Sequence, residues 1–240
     1  MVVICVDGLG GNPDTTFGLL QKELEQDGHT VLILDTSRVQ THEDRIRLVL
    51  CACSKHPTED VVLVGQSAGG SAVRVAAERL ERQGKRLAGV ILLSPAMPFG
   101  IPFMTMPLLR VMAGRLAELF LGKDIFPTKE EFGTLTAPLA PEVSGEAVAM
   151  RQSIPGREAR TLAFAPPKFV GYTTPTHYIF GKSDAWVAPR AHIAFATKIG
   201  KHSKTTVSVL GSAGHLTLAS ENRHDVAKII QKWIADLTSS

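Results

Sequence analysis

Six short runs rich in β-branched residues alternate with segments of helical periodicity along most of the 240-residue chain. In such an alternation each strand returns beside a parallel neighbour through a helix, and the helices cover both faces of the sheet. The sequence therefore predicts an α/β fold with a mostly parallel, six-stranded sheet. The predicted strands are Val2–Val6, Thr30–Leu34, Val61–Gly65, Gly89–Leu93, Thr176–Phe180 and Thr205–Leu210.

Helical patterns fill most of the connections between these runs. The clearest are Phe17–Gln26, which stops at Asp27 and Gly28, then His42–Cys53, and a last amphipathic helix over about Asn222–Leu237. After Gly65, small apolar residues recur with a 3.6-residue period, which allows a helix to approach the sheet closely.

One long region interrupts the alternation. Between Met97 and about Gly171 the chain has many prolines and a dense set of Met, Phe and Leu residues, but no convincing strand. The region is too long for an ordinary loop, and its hydrophobicity argues against disorder. We predict a helical lid at residues 97–171, inserted into a core of residues 1–96 and 172–240. Its apolar side chains either form a substrate pocket or bury the lid against the core.

The sharpest functional signal lies where the third predicted strand changes into a helix. Gly65, Ser67 and Gly69 form a G-x-S-x-G motif between the apolar strand and the small-residue helix. A nucleophile on a strained strand-to-helix turn needs such small neighbours, because a Cβ there would strike the strand or the helix. The alternative is a tight turn without chemistry, and the strand and helix on either side of the motif favour the catalytic interpretation.

A serine nucleophile needs a base, and the base needs an orienting acid. Asp184 follows the predicted strand that ends at Phe180, and His215 follows the one that ends at Leu210. Both therefore lie at carboxyl ends of strands, where open α/β sheets gather their sites. We predict that Ser67 is the nucleophile, His215 the general base and Asp184 the orienting acid.

The other candidates for these roles are interpreted as structural. Asp35, at the end of the second strand, is the rival to Asp184. The remaining histidines fall on predicted helices, at strand starts or in other loops, and are interpreted as solvated or core residues. They are His29, His42, His56, His177, His192, His202 and His224.

Three segments resemble the α/β-hydrolase superfamily: the Gly65–Gly69 turn, Phe180–Asp184 and Gly211–Leu216. The resemblance covers roughly Val2–Leu93 and Thr176–Leu237, and implies that the chain begins at the family's third strand, without the N-terminal pair. It further implies a serine hydrolase that needs no cofactor and cleaves an ester or thioester of a small to medium apolar substrate through an acyl-enzyme. Lids of such families are variable and set the choice of substrate.

The resemblance also implies an oxyanion hole formed by two backbone N–H groups. One is that of Ala68, after the nucleophile, and the other is that of Leu9, in the loop after the first predicted strand. Asp7 stands where such families usually have histidine. A carboxylate pointing inward would oppose an oxyanion, so we expect Asp7 to turn away and hydrogen-bond its own loop. Three further residues are predicted to line the substrate pocket: Met97, Trp186 and Leu216.

Two alternatives stay open at this stage. One keeps the fold but makes the protein a lyase or a ligand-binding protein. The other is a dinucleotide-dependent reductase, because Gly8 and Gly10 follow the first strand and Asp35 ends the second. Against it, Pro13 stands where a third glycine is expected. Tyr178 and Lys182 have a reductase-like spacing but straddle a strand end, so they would not share a helical face.

Composition excludes several other classes. The net charge is +3 and the 26 Lys and Arg residues are scattered, so no nucleic-acid partner is predicted. No apolar run approaches the ~20 residues of a membrane span. The first residues lack the features of a secretory signal, which predicts a cytoplasmic protein. Three cysteines suggest reduced thiols, with neither a disulfide framework nor a metal site.

Overall fold

All six strands belong to one sheet in the computed structural model, which describes residues 1–128, 130, 131, 133 and 153–239. The strand order is β2-β1-β3-β4-β5-β6, and every neighbouring pair is parallel. The predicted six-stranded α/β fold is thus confirmed. The strands are β1 (Val2–Val6), β2 (Thr30–Ile33), β3 (Val61–Gln66), β4 (Gly89–Leu93), β5 (Thr176–Gly181) and β6 (Thr205–Leu210).

Helices occupy the connections between the strands. They are α1 (Pro13–Gln26), α2 (His42–Ser54), α3 (Ala68–Arg82), α4 (Met106–Gly114), α5 (Leu116–Leu121), α6 (Gly156–Phe164), α7 (Pro189–Ile199) and α8 (Arg223–Thr238), with a short 3₁₀ turn at Thr217–Ala219. Helix α1 begins four residues before its predicted start. The Asn12 side chain accepts hydrogen bonds from the first free N–H groups, and Pro13 has the backbone angle that a first helical residue needs.

The sheet is buried on both faces, which explains why its strands read as continuous apolar runs. Side chains of Val2, Ile4 and Val6 pack on one face with apolar residues of α2, α3 and α7. Val3 and Cys5 point to the opposite face, where α1 and α8 supply the partners. This alternation follows from the two-residue period of a strand, and the predicted placement of helices on both faces is confirmed.

The strand order places a crevice between β1 and β3. From β1 the chain turns to β2 on one side, then crosses back over β1 to β3 on the other. At such a switch point the loops that follow the two strands diverge and leave room for a ligand. The loop at residues 7–12 and the turn at Ser67 border this crevice.

Three of the described helices, α4, α5 and α6, lie between β4 and β5, in the region for which a helical lid is predicted. Isolated antiparallel bridges join Ile125 to Ile154, and Met104 to Val187 near the end of β5. Residues 129, 132 and 134–152 of the predicted lid lie outside the described residues. The lid and its boundaries stay a prediction.

Within the part of the chain that the structure describes, no helix is long and apolar enough to cross a membrane. Cys5, Cys51 and Cys53 are all free thiols, and only Cys51 is exposed. The cytoplasmic location stays a prediction.

Candidate active site

The turn between β3 and α3 has the sharp geometry predicted for it. Ser67 has φ 55° and ψ −118°, a conformation that residues with a side chain rarely adopt. A Cβ added to Gly69 would lie 2.0 Å from the carbonyl oxygen of Val6, and one added to Gly65 would lie 2.5 Å from that of Gly69. The motif glycines are therefore required by close backbone contacts on both sides of Ser67.

Replacing Gly69 with alanine is expected to lower the free energy of unfolding by about 1–3 kcal/mol, because the added methyl group overlaps the backbone of β1. Gly18→Ala in α1 is the matched control, since nothing lies within 4 Å of its added Cβ. That control should be neutral or stabilising by about 0.5–1 kcal/mol. Urea denaturation measures both, and equal stability of the two variants would contradict the close approach.

The structure brings the three predicted side chains together. Ser67 Oγ lies 2.8 Å from His215 Nε2, and His215 Nδ1 lies 2.9 Å from Asp184 Oδ2. An ionised carboxylate can only accept hydrogen bonds, so Nδ1 of His215 carries a proton. In the neutral ring Nε2 is then the acceptor, and it faces the Ser67 hydroxyl. This arrangement allows the imidazole to receive the serine proton.

The loops that carry Asp184 and His215 are held against each other and against the turn. A Cβ on Gly181, at the end of β5, would lie 1.9 Å from the carbonyl oxygen of Ala213, so only glycine permits this contact. The Gln66 amide donates to the carbonyl of His215 at 2.8 Å and accepts from the Thr217 hydroxyl at 3.3 Å. Gln66 occupies a variable position of the motif, and its role was not predicted.

Asp184 is buried and accepts four hydrogen bonds. Its Oδ1 receives the backbone N–H groups of Trp186 and Val187 at 2.8 and 2.9 Å, and its Oδ2 faces the rings of His215 and His192. Burial alone would raise the pKa of this carboxyl, but the charge interaction with His215 and the hydrogen bonds from both rings outweigh it and hold the pKa below its ordinary value. Asp184 is therefore an ionised acceptor.

His192 is a core residue, as interpreted from the sequence, but it also contacts the triad acid. Its Nε2 lies 3.0 Å from Asp184 Oδ2 and its Nδ1 lies 2.9 Å from the Tyr178 hydroxyl. No role in the site is predicted for it from the sequence. The available signal was its position on the buried face of α7, together with Ala191, Phe195, Ala196 and Ile199.

The loop after β1 is folded as predicted around Asp7. One carboxylate oxygen accepts the N–H of Gly8 at 2.7 Å, and the other accepts the Thr16 hydroxyl at 2.9 Å. Gly8 lies directly against the nucleophile, since a Cβ there would be 2.9 Å from the Cβ of Ser67. Leu9 borders the same cavity as Ser67.

Ala68, the other predicted oxyanion donor, is buried at the start of α3. The N–H groups at a helix start have no intrahelical partner and favour negative charge. The oxyanion roles of Ala68 and Leu9 stay predictions.

A buried group of charged and polar residues lies behind this loop. Arg45 donates Nε and Nη2 to the two oxygens of Glu158 at 2.7 and 2.8 Å, and Nη1 to the carbonyl of Asp7 at 2.7 Å. His42 bridges Glu158 and Ser71 at 3.1 Å each. We name these residues, without Asp7, the Arg45–Glu158 cluster. It ties α6 to α2, to α3 and to the loop after β1.

Glu158 makes the stability dependent on pH. Burial alone would raise its pKa, but the hydrogen bonds from Arg45 and His42 outweigh it and lower the pKa from 4.5 to about 2. Because its pKa is lower in the folded protein, Glu158 stabilises the fold at pH values above its ordinary pKa of 4.5. This contribution to stability is lost as the pH falls toward 2. Between pH 5 and pH 2, the free energy of unfolding of the parent should therefore fall by about 3 kcal/mol more than that of Glu158→Gln.

Urea denaturation at a series of pH values measures that difference. A part of the acid dependence should remain in Glu158→Gln, because the pKa of Asp184 is lowered too. Parallel curves for parent and variant would show that Glu158 is not held ionised by its partners.

A cavity of about 150 Å³ opens in front of Ser67 and His215. The three predicted pocket residues, Met97, Trp186 and Leu216, all line it, and the ring of Trp186 stacks on that of His215 at a centroid distance of 5.4 Å. The insertion supplies much of the remaining wall, mainly through aliphatic side chains. These include Leu108, Val111, Met112, Leu119, Ile125, Ile154 and Leu162.

The residues that suggested a reductase do not form a common site. Tyr178 is buried with its hydroxyl on His192, whereas Lys182 is exposed. Asp35 is exposed and accepts the N–H of Ser37. Among the described residues, no group of three or more His, Cys, Asp and Glu side chains is arranged to hold a metal ion.

Comparison with known proteins gives one family and many similar structures. A family model described as the alpha/beta hydrolase family matches residues 8–229. No curated protein matches the sequence.

Three of the similar solved structures illustrate the shared fold. A polyneuridine aldehyde esterase mutant is 18% identical with TM-score 0.69, over 96% of this chain and 98% of that one. A thermophilic esterase from Thermogutta terrifontis is 20% identical with TM-score 0.67, over 99% and 90%. A monoacylglycerol lipase from Paleococcus ferrophilus is 18% identical with TM-score 0.73, over 98% and 94%.

Proposed function

Because the chain belongs to the α/β hydrolase family, we propose that it is a serine hydrolase that cleaves an ester or thioester of a small to medium apolar substrate. One observation carries the proposal: Ser67, His215 and Asp184 form a continuous hydrogen-bonded chain whose serine end opens into an apolar cavity. Binding alone would not require a base and an acid aligned behind a serine hydroxyl.

In the proposed reaction, Ser67 Oγ attacks the substrate carbonyl carbon while its proton passes to His215 Nε2. Asp184 stabilises the resulting imidazolium. The tetrahedral intermediate then expels the alcohol or thiol, which takes the proton from His215, and leaves an acyl group on Ser67. Water, activated by the same imidazole, releases the acid and restores the serine. No cofactor takes part.

The negative charge of the tetrahedral intermediate needs hydrogen-bond donors beside Ser67. We assign this role to the backbone N–H groups of Ala68 and Leu9, each of which would contribute about 3–4 kcal/mol in the transition state. The Asp7 carboxylate does not oppose this, because its oxygens are occupied by Gly8 and Thr16.

The cavity supports an apolar acyl or alcohol group as the bound part of the substrate. Its walls are mostly aliphatic side chains, and Arg115 and Glu131 at its border are ion-paired to each other at 2.8 Å. Described residues of the insertion supply much of this wall, so we assign the insertion the role of a lid that selects the substrate.

A lyase or a ligand-binding protein of the same fold is the alternative, and the triad geometry favours hydrolysis over binding alone. Turnover of chromogenic esters and thioesters of graded acyl length tests the proposal. Hydrolysis of short and medium chains is expected, with release of one equivalent of acid per alcohol or thiol. Saturable binding of the same compounds without release of product would support the ligand-binding alternative.

Labelling with a fluorophosphonate tests the nucleophile without a guess about the substrate. We expect a single adduct on the peptide that contains Ser67, because the aligned imidazole of His215 activates this hydroxyl. Heat-denatured protein is the control. An adduct on another serine, or none, would contradict the assignment.

A further inference from the structure

His192 is a second histidine bonded to the triad acid. Its Nε2 lies 3.0 Å from Asp184 Oδ2, the same oxygen that faces His215 Nδ1 at 2.9 Å. The side chains of His192 and Asp184 are fully buried. The ring of Phe180 stacks on the imidazole of His192 at a centroid distance of 4.7 Å, which fixes the plane of the ring.

The chemistry of the neighbours defines where the protons are. Asp184 is ionised and can only accept, so Nε2 of His192 carries a hydrogen. Burial lowers the pKa of His192, which makes the ring neutral and leaves Nδ1 as an acceptor. Burial raises the pKa of Tyr178 well above its ordinary value, so the phenol keeps its proton and donates it to Nδ1 at 2.9 Å.

Two imidazole donors therefore share one carboxylate oxygen. A hydrogen bond to Oδ2 stabilises its negative charge, and charge held by one donor is less available to the other. The bond from His192 also holds the carboxylate in the plane in which Oδ1 meets the backbone N–H groups of Trp186 and Val187. Loss of His192 would change both the orientation of Asp184 and the charge that His215 experiences.

We propose that His192 is a positioning residue of the site, which orients Asp184 and shares the negative charge that Asp184 Oδ2 presents to His215. The inference rests on the proposed function, because it treats His215 as the base. His192 itself has no contact with the cavity and exchanges no proton with the substrate.

Other ionisable groups near this chain of hydrogen bonds have hydrogen-bond or ion-pair partners. Tyr172 belongs to the same core cluster as Tyr178, and its hydroxyl accepts a hydrogen bond from Thr176. The remaining charged groups in front of His215 border the cavity and have partners of their own: Asp7, Arg115 and Glu131.

His192→Leu removes the donor while keeping an apolar side chain in the core. We expect kcat for a good ester substrate to fall by about 10- to 100-fold, because the base is less well oriented. KM should stay within about twofold, since His192 does not touch the substrate. The acid limb of the pH profile of kcat/KM should move upward by about half a pH unit or more, because His215 is then the one ring that still bonds Oδ2 of Asp184.

Two further variants separate positioning from packing. His192→Gln keeps an N–H donor and an acceptor, and should restore the parental acid limb. His177→Leu removes another buried histidine, whose ring bonds Thr206 and Ser208 and not the triad. It should lower stability without moving the pH profile. An unchanged acid limb in His192→Leu, or an equal shift in His177→Leu, would overturn the inference.

NMR of the parent protein provides a test that needs neither activity nor a stable variant. With ¹⁵N-labelled histidine, His192 is expected to be neutral at pH 7 to 8, with its proton on Nε2, because burial lowers its pKa. A proton on Nδ1 in this range would overturn the inference. Failure of ester turnover by the parent would instead refute the proposed function, whatever the tautomer of His192.

Discussion

Ser67→Ala is expected to lower kcat/KM for a chromogenic ester by a factor of about 10⁴ or more. The variant keeps the cavity and the neighbouring N–H groups but has no oxygen from which an acyl-enzyme can form. His215 and Asp184 then have no nucleophile to activate, so nearly all of the benefit of the triad is lost with this one atom. Initial rates at substrate concentrations well below KM measure the change.

The fold of the variant must be shown to be intact for this result to count. Alanine at position 67 leaves the backbone contacts of Gly65 and Gly69 in place, so the unfolding free energy should stay within about 1 kcal/mol of the parent. Ser54→Ala is the matched control, because Ser54 is an exposed serine at the end of α2, bonded to the Cys51 carbonyl. It should hydrolyse the ester at the parental rate. Equal rates for Ser67→Ala and the parent would remove the catalytic assignment.

The core of this fold could be predicted from the sequence because its signals are local. Each strand is a short apolar run, and the period of the following segment identifies the helix that packs on it. The triad positions follow from the same pattern, since Ser67, Asp184 and His215 each come just after a strand and parallel strands end at one edge of the sheet. Residues distant in sequence could therefore be placed together without any structure.

Partners of buried polar side chains could not be predicted in this way. Helical periodicity places Arg45 on the buried face of α2, beside Ile46 and Val49, but not its carboxylate partner. Glu158 lies 113 residues further along, in a region whose packing has no strand order to guide it. The contact of His192 with Asp184 is hidden for the same reason, because it depends on the rotation of α7 against β5.

The insertion shows a second limit of pattern analysis. Its apolar residues are distributed over both the buried and the exposed sides of short helices: Leu108, Leu119 and Leu162 are buried, whereas Leu109, Phe120 and Phe164 are exposed. With apolar residues on both sides, periodicity does not identify the face that packs against the core. Apart from Met97 at its start, the residues of the insertion that line the cavity could therefore not be predicted from the sequence.

Arg45→Met is expected to lower the free energy of unfolding by about 3–5 kcal/mol, a large part of the 5–15 kcal/mol typical of a folded domain. The reason is the carboxylate that remains: Glu158 is fully buried, and among the described residues its charge keeps only His42 as a side-chain partner without Arg45. The carbonyl of Asp7 also loses its donor. Urea denaturation at pH 7 measures the change.

Two variants distinguish an uncompensated charge from a simple loss of packing. The double variant Arg45→Met with Glu158→Leu removes both charges, and should recover most of the lost stability, since well-packed apolar side chains often replace a buried ion pair without cost. Arg79→Met breaks the pair between Arg79 and Glu43, whose side chains are 37% and 41% exposed. Because solvent screens that pair, the change should be no more than about 1 kcal/mol.

The double variant also tests whether the Arg45–Glu158 cluster serves the site as well as the fold. It leaves the carbonyl of Asp7 unpaired next to Gly8, which contacts Ser67. If the cluster holds the loop after β1 in position, the double variant should regain stability but not the parental kcat, because a displaced oxyanion donor weakens transition-state stabilisation. Full recovery of both stability and kcat in the double variant would limit the cluster to a structural role. Equal destabilisation of Arg45→Met and the double variant would contradict the argument from an uncompensated charge.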